Sequence, residues 1–384
     1  MEKNRGITLV ALVITIIVML ILVGVTISIV LGQNGIIDKA SEASERTKQA
    51  KINEAKQLTI IEASMNAKET TYKGTLAGVE KEVKIPAGFA VSKVEGENSL
   101  DNGLVIIDGN GNEFVWIPCT ETEYSTRTSS WASGGYTDKT GWTDTQATGV
   151  GLTSVRDNGG FYISRYEAGI PETMTDAYVN TDGATYTTNA KKNVTTYAPV
   201  SKQNVQAWNY ISQTNSKIVA EKMYNKDGLK SYLVDGYAWN AVCRVIQSKT
   251  SKNITNSTTW GNYYNNTTTN YEGLNTLFAM HGYNSGWTIA STYSKGTVIG
   301  APKNSGLNRL ELATGASDDF KAYNVYDIAG NMWEWTTENN GTYAVRRGGS
   351  FNNYGSSYPA VYSHGGDGVG NCDFNFGFRV VLYM

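Results

Sequence analysis

Asp327 and Glu334 bracket the turn Asp327-Ile-Ala-Gly-Asn-Met-Trp-Glu-Trp335, with the carbonyls of Gly330 and Met332 between them. Carboxylates mixed with carbonyls suit a hard cation such as Ca²⁺, which takes about six to eight oxygens. The same carboxylates could instead cap backbone amides or pair with Arg346 or Arg347. Imidazole chemistry has little material, since His281 and His364 are the only two histidines and stand far apart. Cys119, Cys243 and Cys372 form no C-x-x-C pair. They read as buried or idle thiols, or as one disulfide plus a leftover thiol in an oxidising setting.

A second signal lies between Phe351 and Phe376. The stretch contains no Lys, Glu, Gln, Met or Trp, although all five occur elsewhere. Tyr354, Tyr358 and Tyr362 supply rigid amphipathic contact area, and Asn352, Asn353, Ser356, Ser357, Asn371 and Asn375 supply adaptable hydrogen bonding. His364, Asp367 and Asp373 add titratable groups. Antibody binding loops favour a similar Tyr/Ser/Gly/Asn mixture, so these positions are the expected ligand contacts. Every residue type present can be encoded by a codon of the form NNC, whereas the five absent types cannot. A Gly/Asn-rich loop of chance composition is the alternative.

The elements that must position these groups are legible in outline. With 384 residues the chain can bury a sizeable core, and 40 glycines, 24 tyrosines and nine tryptophans describe a loop-rich, aromatic fold rather than a helical bundle. A net charge of -2 and a pI near 5.9 leave no basic footprint for nucleic acid. Short strands are expected over 104–107, 113–117, 161–164 and 378–382, each bounded by Gly, Asn or Asp. Amphipathic helices are expected over 201–212, with Val205, Trp208 and Ile211 on one face, and over 237–247, with Trp239, Val242 and Val245. The polar tracts 178–197 and 254–271 read as surface insertions with little apolar area to bury.

The N-terminus differs in kind. Residues 7–31 carry no charge and would form a helix of roughly 37 Å, enough to span a bilayer core. Lys3 and Arg5 favour keeping that end in the cytoplasm. From Asp38 to Thr70, Lys and Glu alternate with small apolar residues, and Glu42–Arg46 offers an i,i+4 pair. This reads as a solvated helical stalk over 32–70, with a helix packed on the globular part as the alternative.

Several landmarks occur in one order. They are Glu113-Phe-Val-Trp-Ile-Pro118, Gly160-Phe-Tyr-Ile-Ser-Arg-Tyr-Glu-Ala168, Tyr237-Ala-Trp-Asn240, the Asp327–Trp335 turn, Arg347-Gly-Gly-Ser-Phe351 and Phe376-Gly-Phe-Arg-Val380. Together they resemble the formylglycine-generating-enzyme (sulfatase-modifying factor) family. The resemblance implies an irregular α+β, C-type-lectin-like domain over 71–384 and a structural calcium at Asp327, Gly330, Met332 and Glu334. It also implies a copper-binding cysteine pair after Gly-Gly-Ser, but Asn353 and Tyr358 stand at those positions, and neither offers a thiolate. Segment 351–376 resembles the variable region of proteins diversified by retroelements.

Lys3-Asn-Arg-Gly6-Ile-Thr-Leu-Val10 resembles a type IV prepilin N-terminus, which implies a leader over 1–6, cleavage after Gly6 and Ile7 as the mature first residue. Ala11 stands where that family places a glutamate that aids pilus assembly, so the resemblance favours anchoring over filament formation. The joint expectation is a bacterial cell-surface protein, single-pass through 7–31, whose extracellular, non-enzymatic head binds a protein, glycan or phage. A structural pilin-like subunit, with pilus-like self-assembly, and an oxidase of divergent mechanism are the alternatives.

Overall fold

The computed structural model describes residues 14–20, 36–126, 144–174, 192–226, 228–271, 274, 276–281 and 308–384. The chain divides into two compact units, 1–57 and 58–384. In the first, residues 14–20 are helical. A helix spans Ile36–Met65, carrying the Glu42–Arg46 pair at 2.6 Å on its exposed surface. Gly6, Ile7, Ala11 and most of 7–31 lie outside the described residues.

The expectation of a single-pass membrane protein with an extracellular domain is overturned. Among the described residues no helix is long and apolar enough to cross a membrane. The helix with sufficient length, Ile36–Met65, is charged through its centre at Lys48, Lys51, Glu54 and Lys56, and charges at mid-membrane depth are costly. Its final turns belong to the second unit, where Ala63 is buried and the Thr59 hydroxyl accepts the Lys93 N–H at 3.1 Å.

The second unit is built on a seven-stranded sheet. Its order is Phe89–Val91, Val105–Asp108, Glu113–Pro118, Gly160–Ser164, Val380–Tyr383, Leu229–Leu233 and Asn225–Lys226, antiparallel at each of these pairings. Successive side chains of a strand point to opposite faces. Val105, Ile107, Val115, Ile117, Phe161, Ile163 and Val381 therefore share a core with Trp239, Val242 and Ile246 of helix Gly236–Lys249. Ile106, Phe114, Trp116, Tyr162, Val380 and Leu382 face the other way, onto Trp208, Trp333, Trp335 and Phe378. Both faces are covered, which explains why these strands read as unbroken apolar runs. A smaller sheet, ordered Ser363–Gly368, Tyr343–Arg347, Trp333–Asn339 and Phe376–Phe378, packs on that second face and carries the candidate site.

Two expectations fail here for stated reasons. No helix forms over 201–212: Asn204 and Tyr210 adopt φ of 58° and 55°, left-handed values that a right-handed helix excludes. Trp208 and Ile211 are nevertheless fully buried, and the helix begins later, at Gln213–Ala220, capped by Ser212. Tract 254–271 is not a surface insertion. Ile254, Trp260, Asn262, Tyr263 and Asn266 are buried, and the Asn262 amide donates to the Leu310 carbonyl at 2.8 Å. Side-chain amides that satisfy backbone groups let a polar tract run through an interior. Tract 178–197 lies largely outside the described residues.

Asp235 caps helix Gly236–Lys249 and, with Asp144 and Glu338, forms a buried acidic group beneath that helix. Burial raises the Asp144 carboxyl to about 7, and the Asp235 and Glu338 charges add to the rise. A folded-state pKa above the unfolded value means the native state holds the extra proton between about pH 4 and 7. Stability from this group is therefore present at low pH and lost as pH rises through 7, by up to about 1.4 kcal/mol per pH unit. Urea midpoints of wild type minus Asp144→Asn across that range should show this slope, and a flat difference would refute it.

Candidate functional site: a Tyr- and Asn-lined face on a salt-bridged frame

The frame beneath the site is electrostatic. Arg379 and Glu334 are both fully buried, with guanidinium–carboxylate distances of 2.7, 2.9 and 3.2 Å. Arg379 also donates to the carbonyls of Ser164 at 3.0 Å and Tyr326 at 2.8 Å, tying the two sheets together. Asp327 accepts the Gly315 N–H at 2.7 Å, and Glu167 accepts from Met332 N at 2.9 Å and the Asn331 amide at 2.6 Å. Burial raises all three carboxyls, Asp327 to about 7, while Arg379 opposes the rise.

The calcium expected at Asp327, Gly330, Met332 and Glu334 does not fit these donors. Both Glu334 oxygens face a guanidinium, and Asp327 already holds a backbone amide. Among the described residues no group of three or more His, Cys, Asp or Glu side chains could hold a metal ion. The cation in this motif is Arg379, not the Arg346 or Arg347 weighed from the sequence.

From this frame the chain turns at Gly348 and Gly349, with φ of 86° and 73°. A Cβ on Gly349 would stand 2.4 Å from the Tyr358 carbonyl, so only glycine lets the loop close on itself. The Tyr263 hydroxyl donates to the Gly348 carbonyl at 2.5 Å, and Asn353 accepts from both N and Oγ of Ser350 at 3.0 and 2.8 Å. The Tyr264 N–H donates to the Asn353 carbonyl, and Asn265 Oδ1 accepts the Gly355 N–H. The buried 253–266 segment is thus the bed on which the loop lies.

The expected contact residues separate by exposure. Tyr354, Ser356, Ser357 and Asn371 are exposed, while Asn352, Asn353, Tyr358, Tyr362, His364, Asp367 and Asp373 are half-buried. Asn375 is a correction: it is buried at 7 % exposure, its amide donating to Ser350 Oγ at 3.1 Å. The strand Phe376–Phe378 pairs with Trp333–Asn339, so the residue that enters it is drawn inward. Phe351, Pro359, Ala360, Val361, Ser363, Cys372 and Phe374 are also buried and anchor the segment.

Tyr358, Tyr362 and His364 gather around Trp333, with ring centroids at 5.6, 6.0 and 5.7 Å. Beneath them lies Arg346, its guanidinium 3.8 Å from the Phe376 ring centroid and 4.9 Å from Trp333. Arg346 pairs with Asp367 and reaches His364 Nδ1 at 3.2 Å. Burial lowers Arg346 to about 10 against the charge of Asp367. Burial alone would raise Asp367, but its hydrogen bond with His364 and the charge of Arg346 bring it below the usual carboxylate range. Sequence reasoning missed Arg346 as a site residue. The signal that could have found it is register, since Arg346 stands opposite His364 across the ladder.

All three cysteines are buried and outside any disulfide, and burial pushes the thiols of Cys119 and Cys243 up to about 12. The positions implied for a copper-binding pair hold an amide that braces Ser350, at Asn353, and a phenol against Trp333, at Tyr358.

A curled antiparallel sheet, a second sheet packed on it and a long irregular loop braced by Gly-Gly-Ser define the class. Residues 160–384 match the family model of the sulfatase-modifying factor enzyme 1-like domain, and the chain belongs to that family. The family includes both enzymatic and non-enzymatic members. No curated protein matches the chain. Among solved structures, PvdO from Pseudomonas aeruginosa is similar at 15% identity and a TM-score of 0.32, covering 59% of this chain and 82% of that one. Treponema denticola variable protein 1 is similar at 12% identity and a TM-score of 0.23, covering 82% of this chain and 99% of that one.

Proposed function

We propose that this chain is a non-catalytic, ligand-binding member of its family, with the outward side chains of 352–373 as its contact face. One observation supports the reading above others: buried and outward residues interleave along one pinned backbone. Phe351, Ala360, Val361 and Phe374 hold it from below, while Tyr354, Ser356, Ser357, Tyr358 and Asn371 face out or stand half-out. Tyr354 sits edge-on to Tyr264 and Tyr358 edge-on to Trp333, and a tyrosine whose ring is held at the surface is a ready contact. Such positions tolerate exchange without loss of the frame. Genetic diversification of the segment is the finer claim, and DNA beside the gene should then hold a near-copy repeat differing at adenines.

The reading is non-catalytic because Asn353 and Tyr358 cannot supply thiolates and the thiols of Cys119 and Cys243 stay protonated near neutrality. The test is a Tyr354→Ala/Tyr358→Ala double variant of the full chain, assayed with wild type on protein and glycan arrays. We expect the variant to stay folded at a lower unfolding midpoint, since Tyr358 packs on Trp333, and signal on bound array members reduced at least about tenfold. Unchanged binding by the double variant would refute the contact face.

A further inference from the structure

Resting on that contact face, we infer that its partner is a protein surface presenting lysine or arginine side chains. Between Gly348 and Phe378 the chain has two carboxylates, Asp367 and Asp373, and no Lys or Arg. The nearby Arg346 is 6 % exposed, stacked on Phe376 and paired with Asp367, so its charge is already matched. Asp373 is half-buried and has no ion pair among the described residues; its carboxylate accepts the Phe374 N–H at 2.7 Å. The face is thus acidic by one uncompensated carboxylate.

Two further features point the same way. The half-buried rings of Tyr358 and Tyr362 stand against Trp333, offering π faces of the kind that attract ammonium and guanidinium groups. Exposed Ser356, Ser357 and Asn371 can all accept hydrogen bonds, and Lys and Arg bring only donors. Burial also raises Asp373 to about 6, with the charge of Arg346 opposing the rise. Within 348–378 a carboxylate- or phosphate-bearing ligand would meet two like charges and no Lys or Arg.

The test uses the full chain and three labelled nonapeptides, (Gly-Lys-Gly)₃, (Gly-Gln-Gly)₃ and (Gly-Glu-Gly)₃, followed by fluorescence anisotropy at low and physiological salt. The lysine peptide should bind at least about tenfold tighter than the glutamine peptide and weaken with salt. Asp373→Asn should cut that affinity about tenfold with an unchanged unfolding midpoint, while Glu80→Gln, exposed on the hairpin of strands Thr70–Leu76 and Val79–Ile85, should not. Equal binding of lysine and glutamine peptides, or indifference to Asp373→Asn, would overturn the inference. If array ligands still require Tyr354 and Tyr358 but the lysine peptide does not compete with them, the basic partner is wrong and the contact face stands.

Discussion

Arg379→Met should lower the unfolding free energy of the 58–384 unit by about 3–5 kcal/mol, because it strands the Glu334 carboxylate in an interior shared with Glu167 and Asp327. Methionine keeps much of the side-chain volume, so the loss reports charge and hydrogen bonding rather than a cavity. Glu334→Gln alone should also destabilise, by less, because Glu167 and Asp327 still face the guanidinium. The double variant should lose clearly less than the sum of the two, since neither buried charge is then left facing an absent partner. Denaturant midpoints of the four proteins settle the matter, and strictly additive losses would show that the pair does not act as a unit. The same samples treated with EDTA should unfold at unchanged midpoints, because Arg379 already supplies the positive charge the Glu334 carboxylate faces.

Gly349→Ala is the second large effect, at about 3 kcal/mol. The new methyl group needs a left-handed φ and would stand 2.4 Å from the Tyr358 carbonyl, with the Tyr263 ring at 2.9 Å. Relief requires the 350–358 loop to lift from its bed, so ligand binding should fall along with stability. Gly149→Ala is the control: nothing lies within 4 Å of the added carbon and no left-handed φ is needed. Equal melting temperatures for the two variants would mean that the Gly-Gly turn is not strained against its neighbour.

Element type was readable where a single physical rule dominated. Glu113–Pro118 and Gly160–Ser164 are apolar runs buried on both faces, and Gly236–Lys249 carries a helical stripe behind an Asp235 cap. The 201–212 segment shows the limit of periodicity. Its apolar spacing is helical and Trp208 is buried, yet bridges from Gly169 to Val200 and Ala207, with left-handed Asn204 and Tyr210, hold it as irregular chain. Polarity misled in 254–271, where asparagine side chains satisfy buried backbone in place of regular structure. Hydropathy misled at the N-terminus in the opposite sense, since an uncharged stretch suggested a spanning helix that the described residues do not contain.

The sequence by itself marked the motifs of the frame and the segment proposed as the face, although Asn375 of that segment turns inward. Gly348, Gly349, Trp335 and Arg379 sit in the ordered landmark motifs, and the Tyr/Asn/Ser segment carries a composition fit for contact. Only the tertiary structure decided how the charges are partnered: Glu334 with Arg379, Asp367 with Arg346, and Asp373 with no ion-pair partner among the described residues. The physical reason is distance along the chain. Glu334 and Arg379 are brought into contact by a parallel pairing of Trp333–Asn339 with Phe376–Phe378, and no local pattern in either segment encodes that register.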